Sequence, residues 1–381
     1  MLDLVILEEE FQQKINYAKL LIRSAQADEG LQMLDDLESA SAAYFDRLPT
    51  SIQYLLPYTR GRAYIQCNQT DLAKEHLEIA LQYAEGDAEA MARTRNLLAV
   101  TYFQLRQPAR ALQNQLICVR AISDGTLKDL NLQMSIYQNL ANTYLELNEI
   151  PQAISTYKKA LTVLKNLDDP DRQAVMFWGI AASYQSLGNL RYARLYFVRA
   201  IQVYQSIGNR LAEAYMQLNM SEILIAESRI TEARHSLKRV ESLLDGVSSD
   251  GLRSFLYGYL GRLVLKEGDL STALSYAEEG VRYAEMLHQT GYVGDPALWI
   301  DPVHAYVEAL QSAALVHEAL GNRTESDRLF KHGFELMEPT TLEEQRKSLH
   351  LCYAEILEAR HDYQQAAYHY RRAAIASKFC T

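Results

Sequence analysis

Cysteine, proline and glycine are all scarce in this 381-residue chain, and each scarcity excludes something. The four cysteines, Cys67, Cys118, Cys352 and Cys380, form no CxxC pair and sit in apolar helical contexts. That excludes a disulfide scaffold or zinc ribbon and fits small buried hydrophobes in a reducing compartment. Eight prolines and 17 glycines are too few for a collagen-like or low-complexity chain and suit a helix-rich protein. Apolar runs reach nowhere near 18 residues, so no transmembrane helix is expected. The opening run from Leu2 to Leu7 has no basic segment before it and no cleavage site after it. A signal peptide is therefore not expected, and the expected location is the cytoplasm.

Positive charge is also short. A formal net charge of -10 argues against a nucleic-acid or anionic membrane surface, which gains affinity from Lys and Arg. The basic pairs Lys158-Lys159 and Arg371-Arg372 read as solvated helix faces. Catalytic signatures are missing as well: there is no HExxH, GxSxG, Walker loop or GxGxxG, and the nine histidines form no metal-ligand cluster. Asp295, Asp301 and His304 come near one another in sequence, but carboxylates in a Pro-rich loop read better as helix caps. No enzyme activity, metal or cofactor is expected.

What the chain has in abundance is repetition. Ala141, Ala181, Ser221 and Gly261 are small residues 40 apart. Tyr144, Tyr184, Leu224 and Val264 follow three later, then Ala153, Ala193, Ala233 and Ala273. Tyr157, Phe197, Leu237 and Ala277 come next, followed by Ala160, Ala200, Val240 and Gly280. Small residues flanking bulky ones at these offsets describe two antiparallel helices packed closely, and then packed on the next pair. Part of the excess of Tyr (25) over Phe (9) follows, because a ring with a wettable hydroxyl suits packing positions near the surface.

Projecting the step in both directions predicts an all-α right-handed superhelix of about nine helix pairs, a single solenoid over residues 1–381. Its units fall near 14–47, 54–87, 92–125, 134–167, 174–207, 214–247, 254–287, 307–340 and 347–380. The turn of the first is expected at Ala27-Asp28-Glu29, and Thr70 or Asp71 is expected to cap the second helix of the next. Asn148 and Gly188 fall where positive φ is needed, and Pro151 near a helix start. The step breaks once, at a 288–302 insert that reads as an ordered loop around Trp299. At the far end Tyr363, Ala367, Tyr370 and Phe379 would leave an apolar flank, to be covered by homodimerisation through the C-terminal units or by that insert.

The pattern resembles the tetratricopeptide repeat (TPR), with a 40-residue step in place of the minimal 34. Arrays with this step look like those of Rap-type phosphatases, PlcR-like and NprR-like peptide-sensing transcription factors and sensor arms of signal-transduction ATPases. The resemblance implies a bacterial signalling or transcriptional regulator that binds a short peptide in a concave groove lined by the first helix of each unit. No helix-turn-helix domain precedes the repeats and no phosphatase-type three-helix bundle is evident in the first 50 residues, so an output domain is expected outside this chain. The expected groove residues are Tyr58, Arg62, Asn96, Gln138, Asn142, Trp178, Gln185, Glu222 and Arg262. Amides can pair both the N–H and the C=O groups of an extended peptide, and Trp178 can supply a pocket. The alternative is a passive protein-interaction scaffold with no small ligand. A chaperone-tail clamp fits poorly, since Ala182 and Gln138 stand where that resemblance requires Asn and Lys.

Overall fold

A computed structural model describes residues 2–24, 26–290, 300–338, 340 and 342–376. The helices are α1 (Leu2–Arg23), α2 (Ala27–Ser41), a short α3 (Thr50–Gln53), α4 (Leu55–Gln66), α5 (Thr70–Tyr83), α6 (Ala88–Gln104), α7 (Pro108–Ser123), α8 (Leu130–Glu146) and α9 (Ile150–Leu164). They continue with α10 (Pro170–Ser186), α11 (Leu190–Ile207), α12 (Arg210–Ala226), α13 (Ile230–Leu244), α14 (Asp250–Glu267), α15 (Leu270–Thr290), α16 (Pro302–Ala319), α17 (Arg323–Met337), α18 (Glu343–Ala359) and α19 (Tyr363–Ala376). Apart from α3, they form nine antiparallel pairs, an α-solenoid of helical hairpins with no strand among the described residues.

The 40-residue step is visible in the helix starts themselves, at Leu130, Pro170, Arg210 and Asp250. It has a local cause. Asp129, Asp169 and Asn209 stand at successive N-caps, and each accepts hydrogen bonds from backbone N–H groups of the first turn. From α4 onward the turn inside each pair is closed by a residue in the left-handed region, including Asn148 (φ 55), Gly188 (φ 70), Ser228 (φ 57) and Gly268 (φ 89). That conformation ends a helix by redirecting its last carbonyls, and Asn and Gly take it at least cost. Pro151 lies in the first turn of α9, where its missing N–H leaves no bond unmade.

Close packing explains the small residues. Ala141, Ala181, Ser221, Ala153, Ala193, Ala233 and Ala273 are all buried. A Cβ placed on Gly61 would meet the Leu77 Cγ at 2.5 Å, and one on Gly280 would meet the Gly258 backbone nitrogen at 3.0 Å. The bulky positions fill the spaces between: Phe197, Leu237 and Leu77 are completely buried, and the Tyr157 ring nearly so.

Three local expectations are corrected. Ala27-Asp28-Glu29 lies in the first turn of α2 and not in a loop, and α1 reaches back to Leu2, because the apolar run there continues the helix. Gln69, not Thr70 or Asp71, occupies the N-cap of α5, with no side-chain bond. The 288–302 segment is helical at its start, since α15 runs to Thr290; Ile300 is buried, 3.2 Å from the position of a Gly251 Cβ. Residues 291–299, including Trp299 and Asp295, lie outside the described residues.

The chain divides into two compact blocks, Met1–Asp168 with α1 to α9, and Asp169–Thr381 with α10 to α19. Within the second, α12 packs on α14 and α14 on α16, so the first helices of successive pairs form one wall. The second helices pack on the first helix of the next pair. Among the described residues no helix is long and apolar enough to cross a membrane.

Candidate functional site

The first-helix wall of the C-terminal block carries an aromatic track. Trp178 of α10 meets Tyr215 of α12 edge-on at 6.0 Å, Tyr215 meets Phe255 of α14 at 6.5 Å, and Phe255 contacts Tyr259 at 6.2 Å and His304 of α16 at 5.4 Å. Phe255 and Tyr259 belong to the hydrophobic core of this block, and Trp178 and Tyr215 pack against it half-buried. Beside the track runs a charged one. Gln185 Nε2 donates to Glu222 Oε2 at 3.3 Å, and Arg262 lies 3.7 Å from Glu308 and 5.7 Å above the Tyr259 ring.

Burial governs the charges here. Desolvation raises the Glu222 carboxyl above its usual range, Glu308 raises it further, and Arg262 opposes both. Glu308 is likewise raised by burial against the pull of Arg262. For Arg262 burial works downward, yet Glu308 and Glu222 outweigh it, and the guanidinium is held firmly charged. The Tyr215 hydroxyl is pushed up to about 12, chiefly by burial. His304 is lowered by burial, with Glu222 and Asp301 acting against it.

Two acceptors of the site have no partner. Glu308 Oε2 and Gln311 Oε1 are buried without a hydrogen bond, since the 3.7 Å approach of Arg262 is an ion pair too long to be one. Unpaired buried acceptors cost free energy until a donor arrives. Asp301, meanwhile, is a helix cap: its Oδ1 accepts from the backbone of Val303 and His304 at 2.8 and 3.0 Å.

Of the residues expected to line a groove, Trp178, Gln185, Glu222 and Arg262 come together on this wall. The others belong to the N-terminal block and are placed differently. Asn96 is buried and accepts from Asn139 Nδ2 at 3.1 Å; Asn142 accepts the Tyr157 hydroxyl at 2.5 Å. Gln138 is half-buried on α8. Tyr58 stacks on Tyr54 at 5.1 Å beside a cavity of about 740 Å³ that also takes in Lys19 and Arg93. The Lys19 ammonium is lowered by burial first and then by Arg62, Arg23 and Arg93.

Tyr215, Phe255 and Glu308 were not among the expected residues. They stand six before Ser221, Gly261 and Ala314, an offset the shared register could have revealed. At the far end Tyr363 and Tyr370 are exposed, and Phe379 lies outside the described residues.

Comparison with known proteins defines the class. Residues 131–206 match the family model for the tetratricopeptide repeat. The nine helix pairs seen among the described residues are consistent with that repeat's α-solenoid architecture. Its fold is similar to that of apo RapI, with a TM-score of 0.71 over 97% of each chain at 11% identity. It is also similar to the Rap conjugation gene regulator of plasmid pLS20, solved in complex with the Phr* peptide, with a TM-score of 0.56 over 97% of this chain and 96% of that one at 13% identity. A curated relative, the 43 kDa receptor-associated protein of the synapse from Tetronarce californica, is 22% identical over 192 residues, which are 50% of this chain and 47% of that protein. The chain thus spans less than half the length of that relative.

Proposed function

We propose that the chain is a protein-interaction module of a signalling regulator, and that the first-helix wall of its C-terminal block holds a short extended peptide. The observation that carries this reading is the pair of buried, unbonded acceptors, Glu308 Oε2 and Gln311 Oε1, beside the Glu222 and Arg262 charges. A peptide supplies what they lack, through backbone N–H groups or a cationic side chain, and Trp178 and Tyr215 offer flat apolar surface for its neighbours. The Phr* peptide bound by the pLS20 regulator supports the same use of this fold. In this reading the module is not itself catalytic and works in the cytoplasm, where its cysteines remain thiols. Of the nine residues expected from sequence, Trp178, Gln185, Glu222 and Arg262 contact the peptide, while Tyr58, Arg62, Asn96, Gln138 and Asn142 line the N-terminal block.

The test is fluorescence titration of a Trp299→Phe background, in which Trp178 is the sole reporter, with pools of short peptides that carry or lack one Arg or Lys. Pools with the cationic residue should change Trp178 emission, and Glu308→Gln should abolish the preference for them. A response identical in Glu308→Gln, or none from any pool, would refute the reading.

A further inference from the structure

A second surface lies among the second helices of the C-terminal block. Along α11, Arg191, Leu195, Val198, Gln202 and Gln205 recur at alternating spacings of four and three, the spacing at which one helix offers a seam to another. They line a cavity of about 1050 Å³, together with Met220 and Leu224 of α12 and His235 and Ser236 of α13. Met220 and Leu224 are buried beneath it, whereas Leu195 is 45% and Val198 42% exposed. An apolar floor and a seam with two exposed apolar side chains, open to water, have the form of a site for a further helix.

We propose that this groove binds an amphipathic helix of an acidic partner protein, its apolar stripe on Leu195 and Val198 and a carboxylate facing Arg191. Charge selects the occupant. Three arginines line the groove, Arg191, Arg194 and Arg229, against one carboxylate, Glu232, in a chain whose net charge is -10. Arg194 is tied to Glu227 and Arg229 to Glu232, but Arg191 has no ion-pair partner among the described residues. A second copy of this face of α11 would bring its own Arg191 and Arg194 against these and be repelled, whereas a helix edged with Glu or Asp gains an ion pair beside its apolar contacts. Further along the seam Gln202 and Gln205 replace apolar residues, so the occupant's stripe must turn polar there; this fixes its register. The groove is separate from the peptide wall, and this inference stands whether or not that wall binds a peptide.

The probe is a synthetic amphipathic helix of about 18 residues, five turns long, with a leucine stripe edged by Glu, and a twin edged by Lys. Fluorescence anisotropy with the full chain at low salt should show the Glu peptide binding at least about tenfold more tightly than its twin. Leu195→Asp combined with Val198→Asp should abolish binding with an unchanged circular dichroism spectrum, since both side chains are already half in water. Arg191→Glu should reverse the preference between the twins, and Glu222→Gln, on the other wall, should leave both affinities unchanged. Equal binding of the twins, binding that survives the double substitution, or no binding would overturn the proposal. So would light scattering that shows a dimer dissolved by Leu195→Asp, because the occupant would then be a second copy.

Discussion

The two blocks place polar residues at the same helix positions and use them differently. In the N-terminal block two amides are satisfied within the fold: Asn96 is bound to Asn139 of the next first helix and Asn142 to Tyr157 of its partner helix. In the C-terminal block the first-helix wall carries Glu222, Arg262 and Glu308, drawn together under burial with Glu308 Oε2 left without a hydrogen bond. A neutral amide pair satisfies itself within the fold, and its removal is a local loss. A buried charge depends on its counter-charge, so that removing one member leaves the others exposed to the full desolvation penalty. The comparison teaches that a polar stripe is a site only where its groups remain unpaired.

Breaking the charged cluster gives the largest expected effect. Arg262→Ala should lower unfolding stability by about 3–5 kcal/mol, because it strands two buried carboxylates. Urea denaturation at neutral pH checks this, and a loss below about 1 kcal/mol would mean that Glu222 and Glu308 are already protonated together.

The N-terminal pair should respond less. Asn142→Ala leaves the buried Tyr157 hydroxyl without its partner, at a cost of about 1–3 kcal/mol, and Tyr157→Phe in the same chain should recover most of that. Comparison of the single and double variants by thermal melting decides it; no recovery would show that the hydroxyl was not what Asn142 satisfied.

The smallest effect is on pH dependence. A carboxyl whose value is raised in the folded state contributes stability that is fully present below its unfolded value, near 4.5, and is lost as pH rises through the folded value. Glu222→Gln should therefore lose less stability than the parent chain between pH 4.5 and neutrality, measured as the difference between two urea midpoint profiles. Parallel profiles would show that burial does not act on Glu222. His350, packed against His369 at 2.8 Å, works in the opposite sense: burial first, then His369, holds it down to about 3, so its contribution is lost as pH falls from 6.5 toward that value.

Much of this protein is legible in the order of its residues, and the reason is local. A small residue every 40 through the central units, a capping Asp or Asn before α6, α8, α10, α12 and α16 and a left-handed residue in the turn of most pairs act over a few turns of chain. They determine where helices begin, where they end and which faces meet. The same periodicity located Trp178, Gln185, Glu222 and Arg262 on one face. It passed over Tyr215, Phe255 and Glu308, which lie six residues before the small residue of each first helix. Nor could it tell which polar groups are satisfied. Asn96 meets Asn139, Gln185 meets Glu222 and Arg262 meets Glu308 only when successive pairs are stacked, and the reach of each side chain across that stack depends on packing that no single helix contains. Burial, and with it the direction of every shifted carboxyl, is likewise a property of what the neighbouring helices exclude. The repeat was written in the sequence; the pairing of its charges was decided by the tertiary structure alone.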